Sequence, residues 1–160
     1  MYSLLLSLHS LLRWLLLVFL VYAVYRAWYG YRSKSPFGPT DNAIRHWTAT
    51  VGHIQLVVGM LLYLRSPIAR YFREHWRDAA ALEHTEAPFF GWIHISLMLL
   101  AVVVLTIGSA MTRRRSDSQS QFRTMLYWFA LALLIILLAI PWPFMPWVQR
   151  PYFRPFTSII

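Results

Sequence analysis

Residues 4–28 read LLLSLHSLLRWLLLVFLVYAVYRAW, and this apolar stretch decides the fold class. About 20 helical residues span a hydrocarbon core about 30 Å thick, so the stretch is long enough to cross a membrane. The backbone has no water to bond to inside that core, and a crossing segment satisfies its own polar groups as an α-helix. The stretch has no basic leader and is too long for the apolar part of a signal peptide, so we expect it to be retained.

Three further apolar segments have the length of a membrane span, namely residues 47–64, 89–111 and 125–140. The second of them has an earlier helix-start signal at Thr40-Asp41. With residues 4–28 they predict an all-α fold, a four-helix transmembrane bundle with up-down-up-down order. We expect one membrane domain over the whole chain, because short connections join antiparallel neighbours.

Two segments outside these spans differ from them in composition. Residues 65–88 form the longest connection, a polar loop in which Arg, Glu, Trp and Ala recur at helical spacing over residues 69–82. That pattern favours a helix at the membrane surface. Residues 141–160 are rich in proline and aromatic residues, so we predict an extended tail.

The composition also indicates a membrane protein. Hydrophobic residues make up 58% of the chain and charged residues 13%, whereas soluble domains are about 25% charged. Lipid must therefore cover part of the surface, and the bilayer is the first expected partner. The net charge of +9 comes with no nucleic-acid-binding motif, so we expect no nucleic acid partner. The absence of cysteine excludes iron–sulfur clusters and Cys-ligated zinc and leaves histidine as the strongest metal ligand.

The basic residues of the loops predict the orientation in the membrane. One side of the predicted bundle carries eight of them: Arg26, Arg32, Lys34, Arg45, Arg113, Arg114, Arg115 and Arg123. The other side carries six: Arg65, Arg70, Arg73, Arg77, Arg150 and Arg154. The compact run of three arginines places the first group on the inner side. We therefore predict a multi-pass protein of the bacterial inner membrane with both termini in the periplasm.

Three histidines, His9, His53 and His94, lie in or at the edge of three different spans. Ionisable side chains in a span are costly, and they usually face the interior of the bundle together with a partner. Facing helices are also where bundles build cofactor sites. Structural hydrogen bonding explains one such histidine well, but three on three helices favour a common polar site.

Depth decides which of these histidines meet, because a helix rises about 1.5 Å per residue. His9 lies about 25 Å above Arg26, and His94 lies about 28 Å above Arg113. His53 lies only about 12 Å above Arg45. We therefore predict His9 and His94 as the axial ligands of one haem b iron, with His53 as the alternative ligand or as part of a separate site.

Arg13 adds a cation to the predicted site, because it follows His9 by one helical turn on the same face. Arginine pairs with carboxylates in general, so Arg13 is a candidate partner for a haem propionate. Other chemistry fits the spans poorly. They contain no Asp or Glu, which argues against a proton pump, and the chain has no P-loop, HExxH or GxSxG motif, so no catalytic residue is assigned.

Four short motifs resemble a known family in order and spacing: HSLLRW at 9–14, GHIQL at 52–56, IH at 93–94 and IPWPF at 140–144. Together they resemble small four-helix membrane proteins of Bacteroidetes-type bacteria that are labelled cytochrome b-like. The resemblance covers nearly the whole chain and implies a b-type haem protein with His9, His53 and His94 as its polar core. Ile93 stands where the family leads us to expect an acidic residue, a type that orients a neighbouring imidazole.

Two functions of different classes follow from these observations. The first is a b-type cytochrome that exchanges electrons with a quinone or with a partner redox subunit, the protein supplying ligands and electrostatics. The second is a cofactor-free accessory subunit of a larger membrane complex, in which the histidines tie helices together. An electron-transfer protein is favoured over a stand-alone enzyme. A metal transporter is disfavoured, because no carboxylates are present to line a polar path.

Overall fold

The structure is a computed structural model that describes residues 2–83, 85–144, 148 and 150. Four long helices dominate it: α1 (Tyr2–Arg32), α2 (Pro39–Arg65), α5 (His94–Arg114) and α6 (Ser118–Ala139). Two short helices, α3 (Pro67–His75) and α4 (Ala79–Leu82), lie in the connection between α2 and α5. No strand occurs among these residues. The predicted all-α class is confirmed.

Each long helix is long and apolar enough to cross a membrane, α5 together with the turn that precedes it, from Phe89 to Arg114. Only 28% to 33% of the residues in the most apolar window of each helix are buried inside the bundle. The other apolar side chains of these windows face outward, where water would be an unfavourable neighbour. The chain is thus a multi-pass membrane protein whose outer face contacts lipid.

The four long helices form a closed ring in the order α1, α2, α5, α6. α1 packs against α2 and α6, while α5 packs against α6 and α2, so α1 and α5 face each other across the centre. Small residues such as Ala23, Ala101 and Ala132 lie fully buried at the packed faces. Small side chains let helix backbones approach closely, which is the usual basis of helix packing in membranes.

The helices extend beyond the apolar segments of the sequence. α2 begins at Pro39, close to the Thr40-Asp41 signal, and the Asp41 carboxylate accepts a hydrogen bond from the Gly38 N–H at 3.1 Å. Arg26 near the end of α1 donates to the same carboxylate at 2.6 Å. This ion pair holds the end of α1 against the start of α2. These helix ends are polar, so a hydropathy pattern does not detect them as parts of the helices.

α6 begins at Ser118, seven residues before the apolar segment that predicted it. Asp117 is its N-cap, and the Ser120 backbone N–H donates to the Asp117 carboxylate at 2.8 Å. This hydrogen bond holds the pKa of the Asp117 carboxyl below its usual value. The first turns of α6 are polar because they lie at the basic end of the bundle, so apolar content alone does not show them.

A π-helical turn, Phe89–Ile93, leads directly into α5 and was not predicted from the sequence. Gly91 lies in this turn against α3, and a Cβ at that position would overlap the ring of Phe72. The absence of a side chain therefore lets α3 cover the end of α5. Because the turn immediately precedes His94, it sets the direction in which this helix presents the histidine. Single π-turns are frequent at functional sites.

The polar connection and the described residues that follow α6 lie at the same end of the bundle, where Arg150 donates a hydrogen bond to Glu86. The predicted helical stretch 69–82 is divided between α3 and α4, which is capped by Asp78 through the Ala81 N–H at 3.1 Å. After α6, the Trp142 indole N–H donates to the Leu137 carbonyl at 2.8 Å. Of the predicted tail 141–160, residues 145–147, 149 and 151–160 lie outside the described residues.

We predict that Gly108→Ala destabilises the bundle. A Cβ at Gly108 would overlap the Cβ of Trp128 on α6, and this contact with the start of a side chain has no room to relax. Overpacking of this kind costs about 1–3 kcal/mol. The thermal unfolding midpoint in detergent should fall, while Val103→Ile, which adds one carbon to an outward-facing position of the same helix, should leave it unchanged. Equal midpoints for both variants would contradict the packing described for α5 and α6.

Candidate functional site

His9 and His94 meet across the centre of the bundle. Their ring centroids are 6.3 Å apart, and the ring planes are inclined at 72°. His9 lies on α1 and His94 at the first position of α5, the two helices that face each other diagonally in the ring. The two histidines that the depth argument placed at one level therefore lie close together in the structure. Both side chains are partly buried.

The hydrogen bond of His94 defines its tautomer. Nδ1 lies 2.8 Å from the backbone carbonyl oxygen of Ala139 near the end of α6. A carbonyl oxygen only accepts, so Nδ1 carries a proton and donates it, and in the neutral ring Nε2 holds the lone pair. The rings of Phe89 and Phe90 lie 5.8 Å and 6.1 Å from the imidazole centroid. The imidazole is thus oriented by a backbone acceptor and enclosed by aromatic rings.

His9 packs against α2 through two residues. The Gln55 side-chain amide donates to the His9 backbone carbonyl at 3.1 Å, and the same nitrogen lies 3.4 Å from His9 Nε2. Gly59 leaves room for the ring, because a Cβ at that position would lie 3.1 Å from His9 Cε1. His9 Nδ1 and Gln55 Oε1 are buried and have no hydrogen-bond partner among the described residues. The site therefore contains unused hydrogen-bonding capacity.

A cavity of about 390 Å³ adjoins the two histidines and is lined mainly by apolar side chains of α1, α2, α3 and α5. This volume lies within the range of about 300–1,000 Å³ that is common for ligand sites. Arg13 lines the cavity one turn after His9, as the sequence predicted, and its guanidinium carbon lies 5.4 Å from the centre of the Trp14 ring. Met60 and Met98 also line it.

Tyr63 and Arg150 also line the cavity, although sequence reasoning did not assign them to the site. Tyr63 donates a hydrogen bond to the Gly91 carbonyl at 3.1 Å and so connects α2 to the π-helical turn. Arg150 lines the cavity and forms a two-pronged ion pair with Glu86, whose Oε1 lies 2.8 Å from Arg150 Nη1. The guanidinium carbon of Arg150 also lies 5.0 Å from the centre of the Phe90 ring.

His53 lies apart from the other two histidines. Its Nε2 is 2.9 Å from the hydroxyl of Thr106 on α5, and its side chain is exposed on the outer face of the bundle. It lines a second cavity, nearer the basic end of α2 and α5. Across residues 2–83, 85–144, 148 and 150, no group of three or more His, Asp or Glu side chains is arranged to hold a metal ion. The candidate site is therefore a two-histidine site.

Fold and site together define a class, a four-helix multi-pass membrane protein with two histidines facing each other beside an apolar cavity. Comparisons with protein-family models, curated proteins and solved structures find no match to this chain. The resemblance to cytochrome b-like proteins stays a prediction from the motifs alone.

We predict that Glu86→Gln weakens the attachment of Arg150 to the wall of the cavity. The substitution removes the charge that pairs with Arg150. Because Glu86 and Arg150 are 33% and 22% exposed, the free-energy change should stay under about 1 kcal/mol. The rate of chymotryptic cleavage after the exposed Phe144 should rise about threefold. Glu74→Gln is the matched control, since Glu74 pairs with Arg70 on the exposed surface of α3. Cleavage at the wild-type rate in Glu86→Gln would show that the pair of Glu86 with Arg150 does not stabilise this end of the bundle.

Proposed function

We propose that this chain is a b-type haem-binding membrane protein that transfers electrons, with His9 and His94 as the axial ligands. The observation that carries the proposal is the spacing of the two rings. His9 and His94, which lie on diagonally opposite helices beside the cavity, would together hold one haem iron. The ring centroids of His9 and His94 lie 6.3 Å apart, so both side chains are within reach of one bound group.

The state of His94 supports ligation through Nε2. A metal-binding histidine usually donates its other ring N–H to a carbonyl or carboxylate, which fixes the tautomer and the direction of the ring. The Nδ1–H of His94 donates to the Ala139 carbonyl in this way. That contact also supplies an orienting acceptor where Ile93 stands in place of the acidic residue expected from the family. The Ala139 carbonyl on α6 thus supplies the hydrogen-bond acceptor that a side chain at position 93 would otherwise supply.

His9 must turn before it can ligate. Its Nε2 now lies near Gln55, so the ring has to rotate about its Cβ–Cγ bond to aim Nε2 at His94. This torsion is broad in histidine, so the rotation itself costs little. The ring gives up only a 3.4 Å contact, and its Nδ1 has no partner to lose among the described residues. The two unused polar atoms of the site, His9 Nδ1 and Gln55 Oε1, are consistent with a site whose polar groups serve a bound group.

The remaining residues of the cavity have matching roles. Arg13 offers a guanidinium to a propionate carboxylate, and the apolar lining excludes water from the ligands. Haem supplies one-electron redox chemistry when it is bound. Two histidine ligands leave no open coordination position, which favours electron transfer over oxygen activation. A quinone or a partner redox subunit is the proposed exchange partner, and the bacterial inner membrane with periplasmic termini is the proposed location.

An accessory subunit without a cofactor is the competing function, and one observation favours it. His94 ties α5 to the end of α6, and Gln55 ties α2 to the backbone of His9 on α1. Each contact satisfies polar groups inside the bundle and stabilises the packing without any ligand. On this reading the cavity and the ring spacing have no chemical role.

We predict that the detergent-purified chain has a b-type reduced-minus-oxidised absorption spectrum with about one haem per chain by pyridine haemochrome assay. His9→Ala and His94→Ala should each abolish the Soret band, because each removes one of the two proposed ligands. His53→Ala is the matched control, a histidine of the same bundle that lies outside the cavity, and should keep the wild-type haem content.

Two results would overturn the haem proposal. The first is colourless protein purified from cells that make haem, which would leave the accessory subunit as the better function. The second is an equal loss of haem in all three histidine variants with helical content unchanged by circular dichroism, which would exclude a specific ligand pair.

A further inference from the structure

A second cavity, of about 490 Å³, lies between α2 and α5 near the basic end of the bundle and is independent of the two-histidine site. Its charged lining is entirely basic and consists of Arg45, Arg113 and Arg114, with His46 and His53 beside them. Hydroxyl and alanine side chains complete the wall, and no Asp or Glu of the described part of the chain lines it. Such a cavity matches a ligand with negative charge and several acceptor oxygens.

Arg45 shows why an anion fits here. Its side chain is buried, with 6% of the residue exposed, and every acceptor it uses is neutral. Nη1 donates to the carbonyl oxygen of Ser109 at 3.1 Å and to its hydroxyl, while Nε and Nη2 donate to Asn42 Oδ1 at 3.1 Å and 2.9 Å. Asp41, one turn earlier, is the ion-pair partner of Arg26 instead.

A buried charge normally has a partner of opposite charge, because leaving water is costly for an ion. Within residues 2–83, 85–144, 148 and 150, no carboxylate lies within ion-pair distance of Arg45. Arg113 and Arg114 are exposed at the end of α5 and add two further positive charges to the same cavity. The described part of the chain thus supplies three positive charges and no negative one at this cavity, and an anion from outside it would supply the counter-charge.

The position of the cavity identifies the type of anion. Arg45 lies six residues into α2, about 9 Å from its start, and His53 lies about 12 Å deeper along the same helix. The cavity therefore runs from the level of the helix ends toward the apolar part of the span. His53 and Thr106 line its deeper part and are exposed on the outer face, so the cavity opens sideways to lipid. An amphiphile with a charged head fits this path better than a free ion.

We propose that this cavity binds the phosphate headgroup of an anionic phospholipid. Arg45, Arg113 and Arg114 contact the phosphate, and the His53–Thr106 pair lies beside the deeper, glycerol end of the lipid. Basic pockets between transmembrane helices are known to hold anionic headgroups, and a phosphate supplies the charge that Arg45 lacks. Binding of this lipid would therefore stabilise the contact between α2 and α5.

The test is native mass spectrometry of the detergent-solubilised chain with dioleoylphosphatidylglycerol or dioleoylphosphatidylcholine added. The wild type should bind phosphatidylglycerol at least about tenfold more tightly than phosphatidylcholine, and Arg113→Gln with Arg114→Gln should weaken phosphatidylglycerol binding about tenfold. The matched control is Arg32→Gln with Arg123→Gln. It removes the same charge from exposed positions at the same end of the bundle but outside the cavity, and should keep the wild-type affinity.

Three outcomes would overturn the proposal. Equal weakening in both double variants would mean that only the overall charge attracts lipid. Equal affinity for phosphatidylcholine would mean that headgroup charge is not recognised. Displacement of phosphatidylglycerol by millimolar inorganic phosphate would show that the cavity binds a free anion instead of a lipid. Circular dichroism of each variant is measured alongside and should show the helical content of the wild type, so that a loss of binding is distinguished from a loss of fold.

Discussion

The lack of water inside a membrane is the constraint on which the rest of this structure depends. Every backbone N–H and carbonyl of a spanning segment must be bonded within the protein, and four long helices are the result. Side chains obey the same rule. The hydroxyls of Thr48, Thr106 and Thr112 each donate to the carbonyl four residues earlier in their own helix. Polar groups that lack such a local hydrogen bond are therefore informative, and some of them lie at the two cavities.

These exceptions differ in kind between the two ends of the bundle. At the end covered by α3, they are neutral atoms, His9 Nδ1 and Gln55 Oε1, beside an apolar cavity. At the basic end, the exception is the full charge of Arg45, held only by neutral acceptors. A neutral ring nitrogen suits a metal-centred group, whereas an uncompensated guanidinium suits an anion. The two proposals rest on separate residues, so the failure of one leaves the other unaffected.

The sequence could predict the features that depend on distance along a helix. Four spans follow from apolar length, and the meeting of His9 and His94 follows from a constant rise per residue measured from Arg26 and Arg113. The sequence could not predict features that depend on neighbouring helices. Gln55 enters the site because α2 packs against α1, and its hydrogen bond to the His9 carbonyl has no signature in the order of residues. The ion pair between Glu86 and Arg150 also depends on tertiary packing, because the two residues are 64 positions apart in the chain.

The position of His53 shows the limit of an argument from depth along a helix. Helical rise gave it a different depth from His9 and His94, but depth alone left it open as an alternative ligand. Only the rotation of α2 within the ring decides between these readings, because it turns Gln55 and Gly59 toward His9 and leaves His53 on the outer face beside Thr106. Residues 53 and 55 lie about 200° apart around a helix with 3.6 residues per turn, so they cannot both face His9. The packing of Gln55 against α1 thus excludes His53 from the two-histidine site.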